Sequence, residues 1–481
     1  MLRCRSKRTG SPLHSTRIKT QGRAPAKDGT QNQMTSFFPS PGRLHQSKPS
    51  QVVGGARPRF IYQQAGFAVT LLLLLIFSGP PRFRIRDGEA SLRGDVDWVV
   101  VLHILVWGSA GAWVLFQIIK RGRAKLQVTR LQLPQKLGLA MILCLAVSAV
   151  ISKAPALSAF KIYQMAVSML FMQLFVERFG AKRCLKKIFW GAALLCGVTA
   201  VCAFLAPDLV WIASDFNPDP SRLTGLLVPT GAVSAFAIIL LLTGVQRIWR
   251  VLPLALLSLF LALLVLSLTR TAYLVILGFF LLVLIKRPNA KSLKQLVYLA
   301  SAVVLALYAY HWLPNLSEYR NPETVSSLDD RIGLWRYLSN ITLTQSPWWG
   351  LGYYSSSRIY GPQYNPGLGT AHSMFFEILL GGGVVSFALF AALCILLSVR
   401  AVYLLLKNRD RFSFAVATLF FACLILGSMG DEIDSGPVAM CFWYSAAVLP
   451  WMSDDRSSKR AARPEESRRH LPMKALALNE R

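Results

Sequence analysis

The chain has 481 residues, a formal net charge of +30 and a hydrophobic fraction of 53 %. Its mean hydropathy is +0.43, and its apolar residues occur in blocks close to the roughly 20 residues that cross a bilayer core. This composition excludes an ordinary soluble globular protein. We predict an all-α polytopic membrane protein with about 12 transmembrane helices.

The N-terminal stretch, residues 1–60, contains scattered basic residues among Ser, Gln, Gly and Pro. This composition predicts a basic disordered cytoplasmic tail. The first apolar block follows it and is predicted to be a membrane span and not a cleaved signal peptide. Because the bases do not form a folded basic surface, we expect contacts with membrane lipids and no nucleic-acid partner.

The hydropathy pattern places transmembrane helices 1–9 in residues 61–312 and helices 10–12 in residues 372–451. The two spans near residues 259 and 276 are nearly continuous, with a break at 269–271. The predicted span centres are Leu72, Leu105, Leu143, Val167, Leu195, Ala235, Leu259, Ile276, Val303, Ala388, Phe420 and Tyr444.

Lys and Arg are concentrated in every second loop, as in "KRGRAKLQVTR" and "KRPNAKSLK". The positive-inside rule therefore predicts that these loops and both termini are cytoplasmic, including a tail over 452–481. The remaining loops face the opposite side. Asp434, in the acidic turn "GSMGDEIDSG" of such a loop, is expected to be solvated.

The longest external segment is residues 313–371, a predicted large loop rich in Pro, Gly, Asn and aromatic residues. Within it, "SSLDDRIGLWRYLSNITL" predicts a short amphipathic helix with a capping box from Ser327 to Asp330. Ile332, Trp335 and Leu338 recur at helical spacing, and we expect this stripe to lie on the membrane interface.

An aromatic stretch, "SPWWGLGYYSSSRIYGPQY", follows that helix. Trp348, Trp349, Tyr353 and Tyr354 are candidates for stacking on the apolar faces of sugars. An interfacial aromatic belt is the alternative interpretation of the same residues.

His372 begins the apolar segment that follows the loop, at the predicted outer face of the membrane. An imidazole can accept a hydroxyl proton without a metal, so His372 is the candidate catalytic base; a structural histidine is the alternative. Glu377 lies five residues further on. We expect it to orient neighbours or pair with an arginine, and not to share the proton transfer.

Three arginines are predicted on the same side of the membrane as His372. Arg270 lies between two apolar spans, Arg222 precedes the sixth span, and Arg331 opens the loop helix. Their guanidinium groups match phosphate oxygens, so we predict a diphosphate-binding site; snorkelling of Arg270 and pairing of Arg331 with neighbouring aspartates are the alternatives. No metal site and no cofactor are predicted.

Four stretches carry a resemblance to the O-antigen ligase and polysaccharide polymerase family of bacterial envelope glycosyltransferases. Their order, spacing and membrane placement together resemble the family pattern over residues 222–390. The stretches are "RLTGLLVPTGAVSAF", "LTRTAYLVIL", "DDRIGLWRYLSNITLTQSPWWGLGYY" and "TAHSMFFEILLGGGVVSFALF".

The resemblance implies a GT-C-like membrane enzyme of the bacterial inner membrane whose large loop is periplasmic. It further implies inverting, metal-independent transfer of glycan from an undecaprenyl-diphosphate-linked donor to a hydroxyl of an acceptor glycan or lipid A core. His372 would be the base, Arg270 and Arg331 would hold the diphosphate, and Arg222 would support the donor site.

The family contains polymerases of O-antigen or exopolysaccharide as well as O-antigen ligases, and the sequence does not separate them, although the compact loop slightly favours a polymerase. A polytopic transporter and a lipid-linked glycan flippase are rival functions, because many transporters have a similar number of spans. A non-catalytic envelope scaffold is a third, for which His372 and Arg270 would be dispensable.

Overall fold

The computed structural model describes residues 57–76, 97–122, 131–212, 222–225, 228–244, 252–286, 331–365, 369–407, 410–430 and 433–452. These residues are mostly helical. The helices are α1 (Arg57–Ile76), α2 (Trp98–Gly122), α3 (Leu133–Val150), α4 (Pro155–Phe179), α5 (Ala181–Leu205), α6 (Pro207–Val210), α7 (Thr230–Leu242), α8 (Leu252–Leu266), α9 (Arg270–Lys286), α10 (Arg331–Gln345), α11 (Ser355–Tyr364), α12 (Met374–Lys407), α13 (Arg411–Ser428) and α14 (Gly436–Val448). Two short antiparallel strands, β1 (Trp211–Ile212) and β2 (Arg222–Leu223), pair with each other.

Six of the described helices are long and apolar enough to cross a membrane, namely α2, α3, α4, α5, α12 and α13. Shorter apolar helices include Gly66–Ile76, α7 and α8. The predicted polytopic membrane character is therefore confirmed. The count of twelve remains a prediction, since the span centred on Val303 lies outside the described residues, as do residues 1–56, 313–330 and 453–481.

The centre of the helical assembly is formed by helices that are apolar around their whole circumference. α7 and α14 are buried along almost their entire lengths, as expected for helices without a polar face. α14 packs against α4 and α13, and the ring of Phe442 contacts the rings of Phe390 and Phe420 at centroid distances of 5.9 and 6.1 Å.

Helix α12, which follows His372, is broken at Gly383, where φ is 64° and ψ is −166°. A short half, residues 374–382, precedes the break and a longer half, residues 384–407, follows it. The segment 346–352, which we call the strap, runs along the break and bonds with its backbone. The bonds are Leu351 N to Leu380 O (2.8 Å), Gly352 N to Gly381 O (3.1 Å), Val384 N to Pro347 O (2.8 Å) and Val385 N to Trp348 O (3.4 Å).

The glycines at the break permit this backbone-to-backbone approach. A Cβ on Gly383 would lie 2.5 Å from the Trp348 backbone, and a Cβ on Gly381 would lie 2.6 Å from the Tyr353 Cα. On the strap, a Cβ on Gly350 would lie 2.5 Å from the Gly381 carbonyl carbon. These glycines therefore allow close packing, and the neighbour that they accommodate is the strap.

The predicted loop helix is present as α10, but its buried face differs from the prediction. Leu334 and Leu338 are buried against α11 and α12, whereas Ile332 is 44 % exposed. The packed face of α10 is therefore centred on Leu334 and Leu338 and is offset from the predicted stripe. The reason is that α10 docks on the protein helices α11 and α12. The aromatic stretch that follows also contains a helix, α11, which the sequence analysis did not predict.

We expect Gly383→Ala to destabilise the protein. The φ and ψ of Gly383 lie in a region adopted essentially by glycine, which costs another residue about 1–3 kcal/mol even before the contact with the strap is counted. Gly278→Ala is the matched control, since the structure places nothing within 4 Å of its Cβ position in α9. Thermal unfolding of the two purified variants in detergent checks this, and equal midpoints would contradict it.

Candidate active site

Three arginines converge from separate elements. Arg331 is the first residue of α10, Arg270 is the first residue of α9, and Arg222 lies on β2. Burial lowers the pKa of Arg331, and the positive charges of Arg270 and Arg222 lower it further. Arg270 and Arg222 therefore each lie close enough to Arg331 to repel its guanidinium group, and such a group of cations suits an anionic ligand.

Arg331 and Arg270 are each positioned at the start of a helix. Arg331 Nη1 donates to the carbonyl oxygen of Met429 at 2.6 Å, which attaches the start of α10 to the end of α13. Arg270 follows a turn in which Leu268 has a φ of 49°. A Cβ on Gly231 in α7 would lie 2.5 Å from Thr269 Oγ1, so the start of α7 packs directly on this turn.

His372 lies immediately before α12 and has a φ of 51°. Burial lowers its pKa from 6.5 to about 4, with further contributions from the positive charges of Arg331 and Arg358. The imidazole is consequently neutral at pH 7 and retains a lone pair. A neutral imidazole among cations can accept a proton, and a bound anion would make it a stronger base.

The residue before His372 is held on both sides. Trp335 Nε1 donates to the Ala371 carbonyl oxygen at 2.7 Å, and the Ala371 N–H donates to Glu377 Oε1 at 2.9 Å. Glu377 is buried, at 1 % exposure. Its carboxylate thus orients the backbone beside His372, in agreement with the expectation that it orients neighbours.

Arg358, in the unpredicted helix α11, is a further cation beside His372. Its guanidinium lies over the Tyr354 ring at 4.9 Å and donates to the Tyr354 hydroxyl. Sequence reasoning missed it because the surrounding "YYSSSRIYGPQY" contains no apolar helical stripe. Most residues that this helix buries are small or polar, namely Ser355, Ser356, Ser357 and Gly361, together with Tyr360.

Asp434 was expected to be solvated, and this prediction was wrong. Its side chain is fully buried and pairs with Lys161 Nζ of α4 at 2.6 Å. Lys161 also lies 4.2 Å from the centre of the Tyr354 ring, and Ser168 donates to the Asp434 carbonyl oxygen. A buried carboxylate requires a paired cation, and the tertiary structure supplies one from a distant helix.

The four candidate stacking residues differ in accessibility. Trp348 and Trp349, in the strap, are 62 % and 45 % exposed. Tyr353 is 1 % exposed and belongs to the core, so its ring is not available to a glycan. The ring of Tyr354 is contacted by Lys161 and Arg358. Of the predicted set, the two tryptophans present accessible rings.

Helices able to cross a membrane, together with a cationic cluster around a neutral histidine, define a polytopic membrane protein with a site suited to an anionic ligand. Residues 254–391 match the family model described as O-antigen ligase, which identifies this segment as an O-antigen ligase domain. The resemblance inferred from the motifs is thereby confirmed for a segment that includes Arg270, Arg331, Arg358 and His372. The family indicates a bacterial membrane glycan ligase or polymerase that acts on lipid-linked glycan and acceptor polysaccharide.

Comparison with curated proteins finds no match. Among solved structures, one similar chain comes from the work described as "Structural coordination of polymerization and crosslinking by a peptidoglycan synthase complex". It is 16 % identical, the alignment covers 66 % of this chain and 95 % of that chain, and the TM-score is 0.36.

We expect Arg358→Gln to shift the pH dependence of glycan transfer, the activity that the family indicates. Removing a positive charge beside His372 raises the pKa of the imidazole above its value of about 4. If unprotonated His372 is required, the acid limb of the kcat/KM profile moves to higher pH. Arg336→Gln, an exposed position on α10, is the control. An unchanged limb in Arg358→Gln would contradict the assignment of this limb to His372.

Proposed function

We propose that the protein transfers glycan from an undecaprenyl-diphosphate-linked donor to a hydroxyl of an acceptor glycan or lipid A core. The reaction is inverting and metal-independent, and it takes place at the periplasmic face of the bacterial inner membrane with both termini cytoplasmic. The protein acts as an exopolysaccharide or O-antigen polymerase or as an O-antigen ligase. The observation that carries this proposal is that Arg270 and Arg222 lie close enough to Arg331 to repel it, while Arg331 and Arg358 lie beside a neutral His372.

The arginines bind the diphosphate of the donor. The charges of Arg270 and Arg222 repel that of Arg331, and a bound diphosphate relieves this repulsion while accepting paired hydrogen bonds from the planar guanidinium forks. Arg331 is oriented by its bond to Met429, and Arg270 is oriented by the start of α9. Arg222 is more exposed, on β2, and supports the outer part of the donor site.

His372 activates the acceptor. The imidazole takes the proton of the acceptor hydroxyl while that oxygen attacks the anomeric carbon of the donor sugar. The bond from this carbon to the carrier phosphate oxygen breaks, and its electron pair leaves with the diphosphate. The arginines neutralise the charge that develops on the leaving group. A single displacement from the opposite face inverts the anomeric configuration.

The depressed pKa of His372 fits this order of events. Before the donor binds, burial and the charges of Arg331 and Arg358 keep the imidazole neutral. When the diphosphate binds, its negative charge favours the protonated form, so the imidazole becomes a stronger base as the donor arrives. Trp348 and Trp349 present exposed rings on the strap, on which we propose that the glycan stacks.

We expect His372→Ala and Arg270→Ala each to lower glycan transfer by at least about 100-fold, because they remove the general base and a cation that stabilises the leaving group. His103→Ala in α2 and Arg336→Ala in α10 are the controls, since each removes a residue of the same type elsewhere. Transfer is measured with purified protein in detergent and a carrier-linked donor. Near-normal product from both variants would reject the proposal.

The same assay separates the enzyme from its rivals. Product formation in detergent requires no movement across a bilayer, so a transporter, a flippase or a scaffold yields none.

Deletion of the protein in the cell then separates the two enzyme types. Loss of long chains with single units still attached indicates a polymerase, whereas loss of all glycan from the lipid A core with carrier-linked chains intact indicates a ligase.

A further inference from the structure

We propose that Trp335 and Glu377 are positioning residues that hold His372 in its reactive conformation by fixing the backbone of Ala371. This inference rests on the proposed function, because it assumes that His372 is the group to be positioned. Neither side chain is assigned a role in proton transfer or in binding the diphosphate. Both act through the peptide groups that flank Ala371, the residue before the histidine.

The backbone at His372 needs such support. A φ of 51° is uncommon for a residue with a Cβ and is maintained only where the surroundings determine it. The adjoining segment contains no regular secondary structure before α12 begins at Met374. Without external bonds, the residue would relax to a negative φ, and its imidazole would point in another direction.

Two side chains from different elements supply the bonds. Trp335 of α10 donates its indole N–H to the Ala371 carbonyl at 2.7 Å, and Glu377 of α12 accepts the Ala371 N–H at 2.9 Å. On the other side of the histidine, the Ser373 carbonyl accepts the Glu377 N–H at 2.9 Å. The peptide groups on both sides of Ala371 are therefore anchored by side chains, the second of them being the peptide that leads into His372, and Ala371 is fully buried.

A ring stack fixes the orientation of Trp335 itself. Its ring lies parallel to that of Phe376, with a centroid distance of 4.8 Å and an interplanar angle of 11°. Phe376 and Glu377 are neighbours on the first turn of α12. The loop helix α10 therefore contacts the first turn of α12 through the ring stack, and it contacts the segment just before α12 through the indole bond to Ala371. Because Arg331 lies one helical turn before Trp335, the same helix sets the position of the base relative to a phosphate-binding cation.

The first test removes the indole donor and keeps the stack. In Trp335→Phe we expect kcat to fall by about 10- to 100-fold, because a slight displacement of the base is costly. We expect KM for the carrier-linked donor to stay within about twofold of its original value, because the arginines that bind the donor are unchanged. Tyr337→Phe is the matched control, since it removes a hydroxyl bond to Gln363 from the same helix.

The second test separates the hydrogen bond of Glu377 from its charge. Glu377→Gln retains an oxygen that can accept the Ala371 N–H, whereas Glu377→Met is of similar length and has no such oxygen. We expect nearly full kcat in the glutamine variant and a loss like that of Trp335→Phe in the methionine variant. Equal losses in both would overturn the proposal, because the carboxylate would then act through its charge.

The third test needs no activity. The Ala371 amide is buried and bonded, so its hydrogen exchange, followed by mass spectrometry of a peptide spanning residues 369–373, should be slow. We expect faster exchange in Glu377→Met and unchanged exchange in Glu377→Gln. Unchanged exchange in the methionine variant would contradict the proposed anchoring.

The outcomes distinguish this inference from the proposed function. If His372→Ala transfers glycan normally, the proposed function fails. If His372→Ala is inactive while Trp335→Phe and Glu377→Met keep normal kcat, the positioning role fails and the proposed function stands. A loss in Trp335→Phe that appears in KM and not in kcat would also overturn the positioning role.

Discussion

The arrangement of the site depends on how the backbone N–H and carbonyl groups at the break in α12 are hydrogen-bonded. A buried helix that stops and restarts leaves carbonyl and N–H groups without partners, and leaving such groups unpaired is costly. The strap supplies those partners with its own backbone, on both sides of Gly383. Since the strap joins α10 to α11, the same bonds attach the loop helices to the helix that follows His372. The histidine and the loop arginines thereby share one rigid framework.

Electrostatics is the second constraint. Burial lowers the pKa of Arg331, and the charges of Arg270 and Arg222 lower it further. Burial likewise lowers the pKa of His372, with contributions from Arg331 and Arg358. Of the described acids nearby, Asp434 pairs with Lys161, and Glu377 accepts the Ala371 N–H and also lies within electrostatic range of Arg358. Arg331 and its two arginine neighbours therefore keep a positive charge suited to an anionic ligand.

Backbone strain is concentrated around the same region. Leu268, Tyr354 and His372 have positive φ values without being glycine. Leu268 lies two residues before Arg270, and Tyr354 lies immediately before the helix that bears Arg358. His372 is the candidate base. Strained residues persist where packing and hydrogen bonds determine them, and such positions are enriched at functional sites. The bonds to Ala371 are a local example of this support.

The sequence determined the membrane character, most helix positions, the loop helix α10 and the family, because hydropathy blocks, helical periodicity and short motifs are local properties of the chain. It also indicated Arg222, Arg270, Arg331 and His372 as candidate site residues. The tertiary structure decided what depends on contacts between distant residues. It buried Tyr353 and Asp434, placed Arg358 beside His372, and offset the packed face of α10 toward Leu334. Burial and charge pairing are set by elements far apart in the chain, such as Lys161 and Asp434, and no local pattern specifies them.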